Sequence, residues 1–318
     1  MTSSLYQQHL LSIQDLDRTK IDLIITTALN FKKNKTHKSL SQLLENKIIA
    51  SCFYEASTRT RLSFEAAALK LGAKIIGFAD ARNTSTSKGE TLEDSMRIIA
   101  LYANAIILRH PQEGAAKRTA NVSHIPILNA GDGSNQHPTQ ALLDLVTIIE
   151  KHNTLDDLHI GFSGDLKHGR TVHSLVEALI HYQPACLYFI SDDSLQIPEY
   201  LIQKLDKNNI NYQKSHILSD YLNQLDVIYM TRLQKERFDN TPDDYNHNLC
   251  LTIDKLENAK KQLQILHPLP RGNEINPAVD HTPYAHYFHQ AENGLYTRQA
   301  LLALTLANNI PTFNNKLS

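Results

Sequence analysis

Nothing in these 318 residues reads as a membrane span: no apolar run approaches the roughly 20 residues that a helix needs to cross a bilayer. Glycine and proline number 11 each, too few for a collagen-like or low-complexity chain. The N-terminal stretch MTSSLYQQHLLSIQDLDR has no basic segment followed by an apolar one, so no signal peptide is expected. Charge of one sign is also missing. Lys plus Arg is 32, Asp plus Glu is 33, and the formal net charge of −1 gives no global pull toward nucleic acid or an anionic membrane. Any anion site must therefore come from local clusters. The three cysteines, Cys52, Cys186 and Cys250, are odd in number and lack metal-ligand spacing. They read as reduced thiols of a cytoplasmic protein rather than as a disulfide framework or a metal site. The dinucleotide fingerprint G-x-G-x-x-G is absent as well.

What is present is an alternation. Short runs rich in β-branched residues, at 47–53, 73–79, 105–109, 125–129, 158–163, 186–190, 226–231 and 263–267, are expected strands. Their continuous apolar character suits parallel sheets covered on both faces. Amphipathic stretches at 14–32, 58–71, 89–103, 138–151, 170–182 and 254–261 are expected helices, with a last one at 296–308. The pattern predicts an α/β protein, and 318 residues at roughly 100–200 per domain predict two domains. The polar, turn-rich 130–137 (AGDGSNQH) places the boundary near residue 137.

Four kinds of segment carry chemistry. In CFYEASTRTR a strand ends and Ser57, Thr58, Arg59 and Thr60 open a helix. The first turn of a helix offers unpaired N–H groups and the positive end of its dipole, and hydroxyls and a guanidinium add to an anion site. The bland reading is an ordinary Ser/Thr cap beside a solvated arginine. In NQHPTQ, Pro138 suits the first helical position, which makes His137 the expected N-cap with Gln140 one turn inside. A histidine there tends to stay neutral and can donate one hydrogen bond to a carbonyl oxygen. GDLKHGRT, residues 164–171, almost fits the P-loop pattern but has Arg170 where the lysine belongs, so a nucleotide triphosphatase is disfavoured. Finally, Arg109, Arg232 and Arg271 each lie at or just beyond a strand end, where open α/β sheets bind ligands. A single strand-end arginine is usually a salt-bridged surface residue; three together suggest a polyanionic substrate.

Taken together, FYEASTRTRLSFE, RHPQEGAA, NAGDGSNQHPTQALLDL, GDLKHGRTVHSL, YMTRLQKER and HPLPR resemble, in order and from about residue 5 to 310, the landmarks of the aspartate/ornithine carbamoyltransferase family. The resemblance implies two α/β domains, each a parallel sheet flanked by helices, with the active site between domains and at a subunit interface. Residues 1–137 would bind carbamoyl phosphate, with the C-terminal helix (about 296–318) packing back on them, and residues 138–295 would bind aspartate. By resemblance Ser57, Thr58, Arg59 and Thr60 hold the phosphate, and Thr60, Arg109 and His137 polarise the carbonyl. Gln140 and the carbonyls of Leu269 and Pro270 hold the carbamoyl nitrogen. Arg170 takes the α-carboxylate of aspartate, and Arg232 with Gln234 the side-chain carboxylate. Ser85 and Lys88 resemble a loop reaching a neighbouring subunit's site, and Glu55 a residue that pairs with Arg170 and Arg237 on domain closure. Between Ser85 and Lys88 the loop is one residue shorter than in well-known bacterial members and has one lysine where they have two.

The implied reaction transfers the carbamoyl group of carbamoyl phosphate to L-aspartate in pyrimidine biosynthesis. It needs no metal and no cofactor. The implied assembly is a cytoplasmic homotrimer, and whether separate regulatory chains join it stays open. HPLPR, with Pro268 after His267, and the cation Arg232 favour aspartate over ornithine as acceptor. A carbamoyltransferase for another amine, or a non-catalytic relative that binds a phosphorylated ligand, are the rival readings.

Overall fold

The structure, a computed structural model, describes residues 3–232, 249–311 and 313. The chain forms two compact units, Met1–Val146 with Glu292–Ser318, and Thr147–Ala291.

The first unit is built on a sheet of β1 (Ile48–Phe53), β2 (Lys74–Phe78), β3 (Ala105–His110) and β4 (Ile127–Asp132). All neighbours are parallel and the order is β2-β1-β3-β4. Its helices are α1 (Arg18–Lys33), α2 (Lys38–Ser41), α3 (Thr58–Lys70), α4 (Leu92–Ala100) and α5 (Ala115–Ala120). Burial follows position. The central strands β1 and β3 and the covered β4 are almost wholly buried, while the edge strand β2 is mostly exposed. Leu10 covers β4, bridging to Leu128. One core lies among Ala50, Cys52, Leu92, Met96, Ile106, Leu108 and Ile127.

The second unit carries β5 (His159–Ser163), β6 (Cys186–Ile190), β7 (Tyr212–Ser215), β8 (Val227–Met230) and β9 (Gln264–Leu266), again all parallel, in the order β7-β6-β5-β8-β9. Its helices are α7 (Arg170–Leu179) and α8 (Glu199–Lys207). Two helices run across the unit boundary in the chain: α6 (Pro138–His152) and α9 (Tyr287–Leu306). Among the described residues no helix is long and apolar enough to cross a membrane.

Both sheets reverse direction beside their first strand. The chain steps from β1 outward to β2 and then crosses to β3 on the other side of β1; it steps from β5 through β6 to β7 and crosses to β8 beside β5. In open α/β sheets, ligands bind outside the carboxyl ends at such switch points. In unit 1 that is where residues 54–60 and Arg109 sit, and in unit 2 where 164–170 and Thr231–Arg232 sit.

Several elements differ from the sequence expectation. Residues 254–261 form no α-helix, only a 3-10 turn at Asp254–Leu256, with a single buried side chain, Leu256. The last helix starts at Tyr287 rather than 296. β4 runs to Asp132, into the stretch expected as a loop, because its polar groups satisfy one another: Asn129 Nδ2 donates to Asp132 Oδ1 at 3.0 Å, and the Gly131 amide to Asn129 Oδ1 at 2.8 Å. β7 (YQKS) is polar and exposed, as an edge strand can be, and α5 spans six residues; neither carries a strong periodic signal. α8, by contrast, has a legible apolar face in Leu201, Ile202 and Leu205.

Candidate active site

In unit 1, parallel register sets Phe53 of β1 opposite Arg109 of β3. The Tyr54 amide then donates to the Arg109 carbonyl at 2.8 Å, so the chain leaving β1 is tied to the end of β3. It enters α3 through Ser57, whose extended backbone (φ −156°, ψ 94°) suits an N-cap but whose side chain makes no capping hydrogen bond. The Arg61 amide is the first to find an intrahelical acceptor, the Ser57 carbonyl at 3.2 Å. The preceding amides of Thr58, Arg59 and Thr60 thus have no intrahelical acceptor at the positive end of a 13-residue helix. Thr60 is buried and Thr58 and Arg59 exposed. Arg61 faces elsewhere: its Nε donates to Glu65 Oε1 at 2.8 Å, which also accepts from Ser51 Oγ at 2.9 Å.

Arg109 is 8% exposed, unusual for a guanidinium. Its Nη1 donates to the Ala130 carbonyl at 3.2 Å and its Nη2 lies 3.1 Å from Glu55 Oε2. The neighbouring His110 accepts from the Gln112 amide at Nδ1, 3.0 Å. Burial first, and then the charge of Arg118, hold this imidazole below its usual pKa.

His137 is 5% exposed, and its carbonyl accepts from the amides of Gln140 (2.9 Å) and Ala141 (3.3 Å), as an N-cap does. Gln140, 9% exposed, donates from Nε2 to Asp144 Oδ1 at 2.9 Å. The loop before His137 is gathered by Asp132, which is fully buried and accepts from Asn129, from the Gly114 and Gln136 amides and from Asn135 Nδ2. The expected site residues Ser57–Thr60, Arg109, His137 and Gln140 therefore all follow or end strands of one sheet at its carboxyl edge. Asp132, Asn129 and Asp144 are not among the residues that the sequence motifs point to. The Asn–Asp spacing around a glycine-rich turn was the available signal for the first two, and Asp144 four residues beyond Gln140 for the third. Ser85 and Lys88 lie apart, exposed on a 3-10 turn (Ser85–Lys88) after the edge strand β2 and closed by Gly89 at φ +89°.

In unit 2, Thr231 joins the ends of β5 and β8. Its amide donates to the Ser163 carbonyl at 2.8 Å and its hydroxyl to the Asp165 carbonyl at 3.4 Å. Gly164 makes this approach feasible: its φ is +118°, and a Cβ there would lie 2.3 Å from the Thr231 carbonyl oxygen. The turn continues through buried Asp165, which accepts from the His168 amide at 2.9 Å, to half-buried Arg170 at the start of α7. Exposed Arg232 follows Thr231 directly. Gln234 and Arg237 lie outside the described residues.

Beyond β9, the His267 amide donates to Gln290 Oε1 and its Nδ1 accepts from the Leu269 amide, both at 2.8 Å. His267 Nε2 meets Glu274 Oε1 at 2.8 Å. Burial disfavours the Glu274 carboxylate, but His267 and the Gly272 amide more than offset this and hold its pKa below the usual range. Leu269 itself is left-handed (φ 55°), a conformation a branched residue adopts rarely, and the peptide bond to Pro270 is cis. Arg271 is engaged structurally rather than presented to a ligand: it is ion-paired to Asp280 and donates to the Tyr287 hydroxyl at 2.9 Å. Of the three strand-end arginines expected to converge on a substrate, this one is otherwise engaged. Among the described residues no group of three or more His, Cys, Asp or Glu is arranged to hold a metal ion.

Two family profiles cover most of the chain: the aspartate/ornithine carbamoyltransferase carbamoyl-P binding domain over residues 8–150, and the corresponding Asp/Orn binding domain over 156–305. A protein of Aliivibrio salmonicida described as aspartate carbamoyltransferase catalytic subunit is 53% identical over 311 residues, 96% of this chain and 99% of that one. One of the same description from Vibrio campbellii is 50% identical over 311 residues, covering 96% and 99%. Among solved structures, aspartate transcarbamoylase of Trypanosoma cruzi in complex with N-(phosphonacetyl)-L-aspartic acid superposes with a TM-score of 0.91 at 34% identity, over 96% of this chain and 98% of that one. The catalytic subunit of M. jannaschii aspartate transcarbamoylase gives 0.87 at 43% identity, over 93% and 97%.

Proposed function

The chain belongs to the aspartate/ornithine carbamoyltransferase family, and from that premise we infer that it transfers the carbamoyl group of carbamoyl phosphate to the amine of L-aspartate, giving N-carbamoyl-L-aspartate and phosphate, a step of pyrimidine biosynthesis. Solved relatives carry both substrates: the T. cruzi enzyme has been captured with carbamoyl phosphate and aspartate together. The observation that carries the reading is Arg109, a guanidinium 8% exposed at the end of β3 and tied to the segment that opens α3.

The chemistry assigned to each residue follows. The aspartate amine attacks the carbonyl carbon, a C–N bond forms, and the carbonyl oxygen becomes an oxyanion. Thr60, Arg109 and His137 donate to that oxygen. The C–O bond to phosphate then breaks, and the departing phosphate, a base, can take the amine proton. Ser57, Thr58, Arg59 and Thr60, with the free amides of α3, hold the phosphate as its charge develops. Gln140 and the carbonyls of Leu269 and Pro270 accept from the carbamoyl nitrogen. Arg170 and Arg232, with Gln234, take the two carboxylates of aspartate. The leaving group is already good, so positioning, worth ~7–11 kcal/mol, and oxyanion stabilisation suffice without a metal or cofactor.

For the assembly, we propose a homotrimer in the cytoplasm in which Ser85 and Lys88 serve a neighbouring subunit's site, with Glu55 and Arg237 acting on domain closure. The exposure of Ser85 and Lys88 and the free state of Cys52, Cys186 and Cys250 support this. Regulatory chains are compatible with the catalytic-subunit description of the relatives.

The experiment that tests the reaction is product formation from carbamoyl phosphate with L-aspartate and L-ornithine in parallel. Carbamoylaspartate from aspartate alone is the expected result. Turnover with ornithine alone would overturn the role of Arg232, and binding without turnover would favour a non-catalytic relative.

A further inference from the structure

Unit 1 buries two opposite charges that the reaction above does not use. Asp144, fully buried on α6, accepts from Gln140 Nε2 at 2.9 Å. Arg298 on α9 is 3% exposed. Its burial is severe enough to lower its pKa to about 10, with Asp144 opposing that shift. The guanidinium lies over the ring of Phe64, 5.1 Å from the centroid, on the same helix that begins at Ser57 and Thr58. Room for it is made by Gly294, one turn earlier on α9: a Cβ there would sit 2.5 Å from Arg298 Nη1. A glycine inside a 20-residue helix weakens that helix, and taking a guanidinium out of water is costly. Stability alone does not account for the arrangement.

The hydrogen bond suggests what does. An ionised carboxylate only accepts, so it can bind only the NH2 end of the Gln140 amide. The amide is thereby fixed with Oε1 turned away from Asp144. Were Asp144 protonated, as an unpaired buried carboxyl tends to be, its O–H could donate to Oε1 and the amide could flip. In the structure Asp144 Oδ1 receives the Gln140 Nε2 hydrogen, as an accepting carboxylate does.

We propose that Asp144 is a positioning residue that locks Gln140 with its oxygen toward the substrate, and so makes the site select an acyl phosphate bearing NH2 over one bearing CH3. The inference rests on the reading that Gln140 meets the carbamoyl nitrogen. A carbamoyl NH2 donates to the fixed oxygen. A methyl group in its place leaves that oxygen desolvated and unpaired, which is how a polar site rejects an apolar isostere.

The test compares binding of phosphonoacetamide and acetonylphosphonate, non-hydrolysable probes that differ only in NH2 against CH3, by calorimetry on the intact protein. The wild type should prefer the amide by at least about tenfold, and Gln140→Ala should reduce that preference by about threefold or more, leaving the share held by the carbonyls of Leu269 and Pro270. Asp144→Asn, whose amide can donate or accept, should lose a similar share of the preference, with affinity for inorganic phosphate unchanged within about twofold. Adding Asp144→Asn to Gln140→Ala should cost no further preference, because both act through one group. If Asp144→Asn alone fails to fold, leaving Arg298 uncompensated, the double variant Asp144→Asn/Arg298→Met removes both charges and should show the same loss. Full preference in the Asp144 variants beside a loss in Gln140→Ala would overturn the proposal. Full preference in Gln140→Ala would instead overturn the reading of Gln140 on which it rests.

Discussion

Arg109 Nη2 lies 3.1 Å from Glu55 Oε2, so the guanidinium assigned to the substrate is held by a carboxylate from the adjacent strand end. A phosphate or oxyanion arriving at Arg109 competes with Glu55 for the same donor. Glu55→Gln should therefore tighten binding of inorganic phosphate by about two- to fivefold, measured by calorimetry, since a neutral amide is the weaker competitor. Weaker phosphate binding would mean that Glu55 orients Arg109 rather than competing for it.

His137 tests the oxyanion assignment. Loss of one preorganised donor typically costs ~2.7–4 kcal/mol, so His137→Ala should lower kcat by roughly 10²–10³-fold. A loss below about tenfold in steady-state kinetics would remove His137 from that role.

Arg232 is exposed and follows the joint between β5 and β8. Arg232→Ala should raise KM for aspartate by roughly tenfold or more while leaving carbamoyl phosphate affinity nearly intact, the pattern of lost binding to one substrate. Equal weakening toward both substrates would contradict its placement.

Lys88 sits on an exposed turn of unit 1. Lys88→Ala and His137→Ala, each nearly inactive alone, should regain activity when mixed and allowed to exchange subunits, because some hybrid sites carry neither lesion. Mass spectrometry that shows mixed trimers without recovered activity would argue against a shared site.

Gly164 tests the joint between strand ends. A Cβ there meets the Thr231 carbonyl oxygen at 2.3 Å, and φ is +118°. Gly164→Ala should lower the melting temperature by several degrees, the consequence of more than ~1 kcal/mol of strain. It should also raise KM for aspartate, since Arg170 and Arg232 flank the joint. An unchanged melting curve would mean that β5 and β8 can part without cost.

Much of the architecture was legible because its strands bury both faces. Runs such as IIASCF and CLYFI need no partner to be recognised as covered strands, and their alternation with helices leaves few topologies. The exceptions have local causes. β7 is polar because an edge strand faces water, and the end of β4 is polar because Asn129 and Asp132 satisfy each other; neither shows as periodicity. At the site, the hydroxyls of Ser57–Thr60 and the arginines among them stand together in sequence, and at a helix start they mark a candidate anion cradle, with an ordinary Ser/Thr cap as the other reading.

The fate of each charged side chain is another matter. Arg109, Arg232 and Arg271 look alike as strand-end arginines, yet the first is buried against Glu55, the second exposed, and the third bound to Asp280 and Tyr287. Arg298 sits in an apolar helix and gave no sign of its relation to Asp144, which comes from far earlier in the chain. The sequence by itself determined the buried strands, most of the helices and the residue types at their ends, because these depend on neighbours within a few residues. Which charges meet, and which are taken from water, was decided only by the tertiary structure, because pairing depends on strand order and helix return that bring distant segments together, and burial then makes each pairing obligatory.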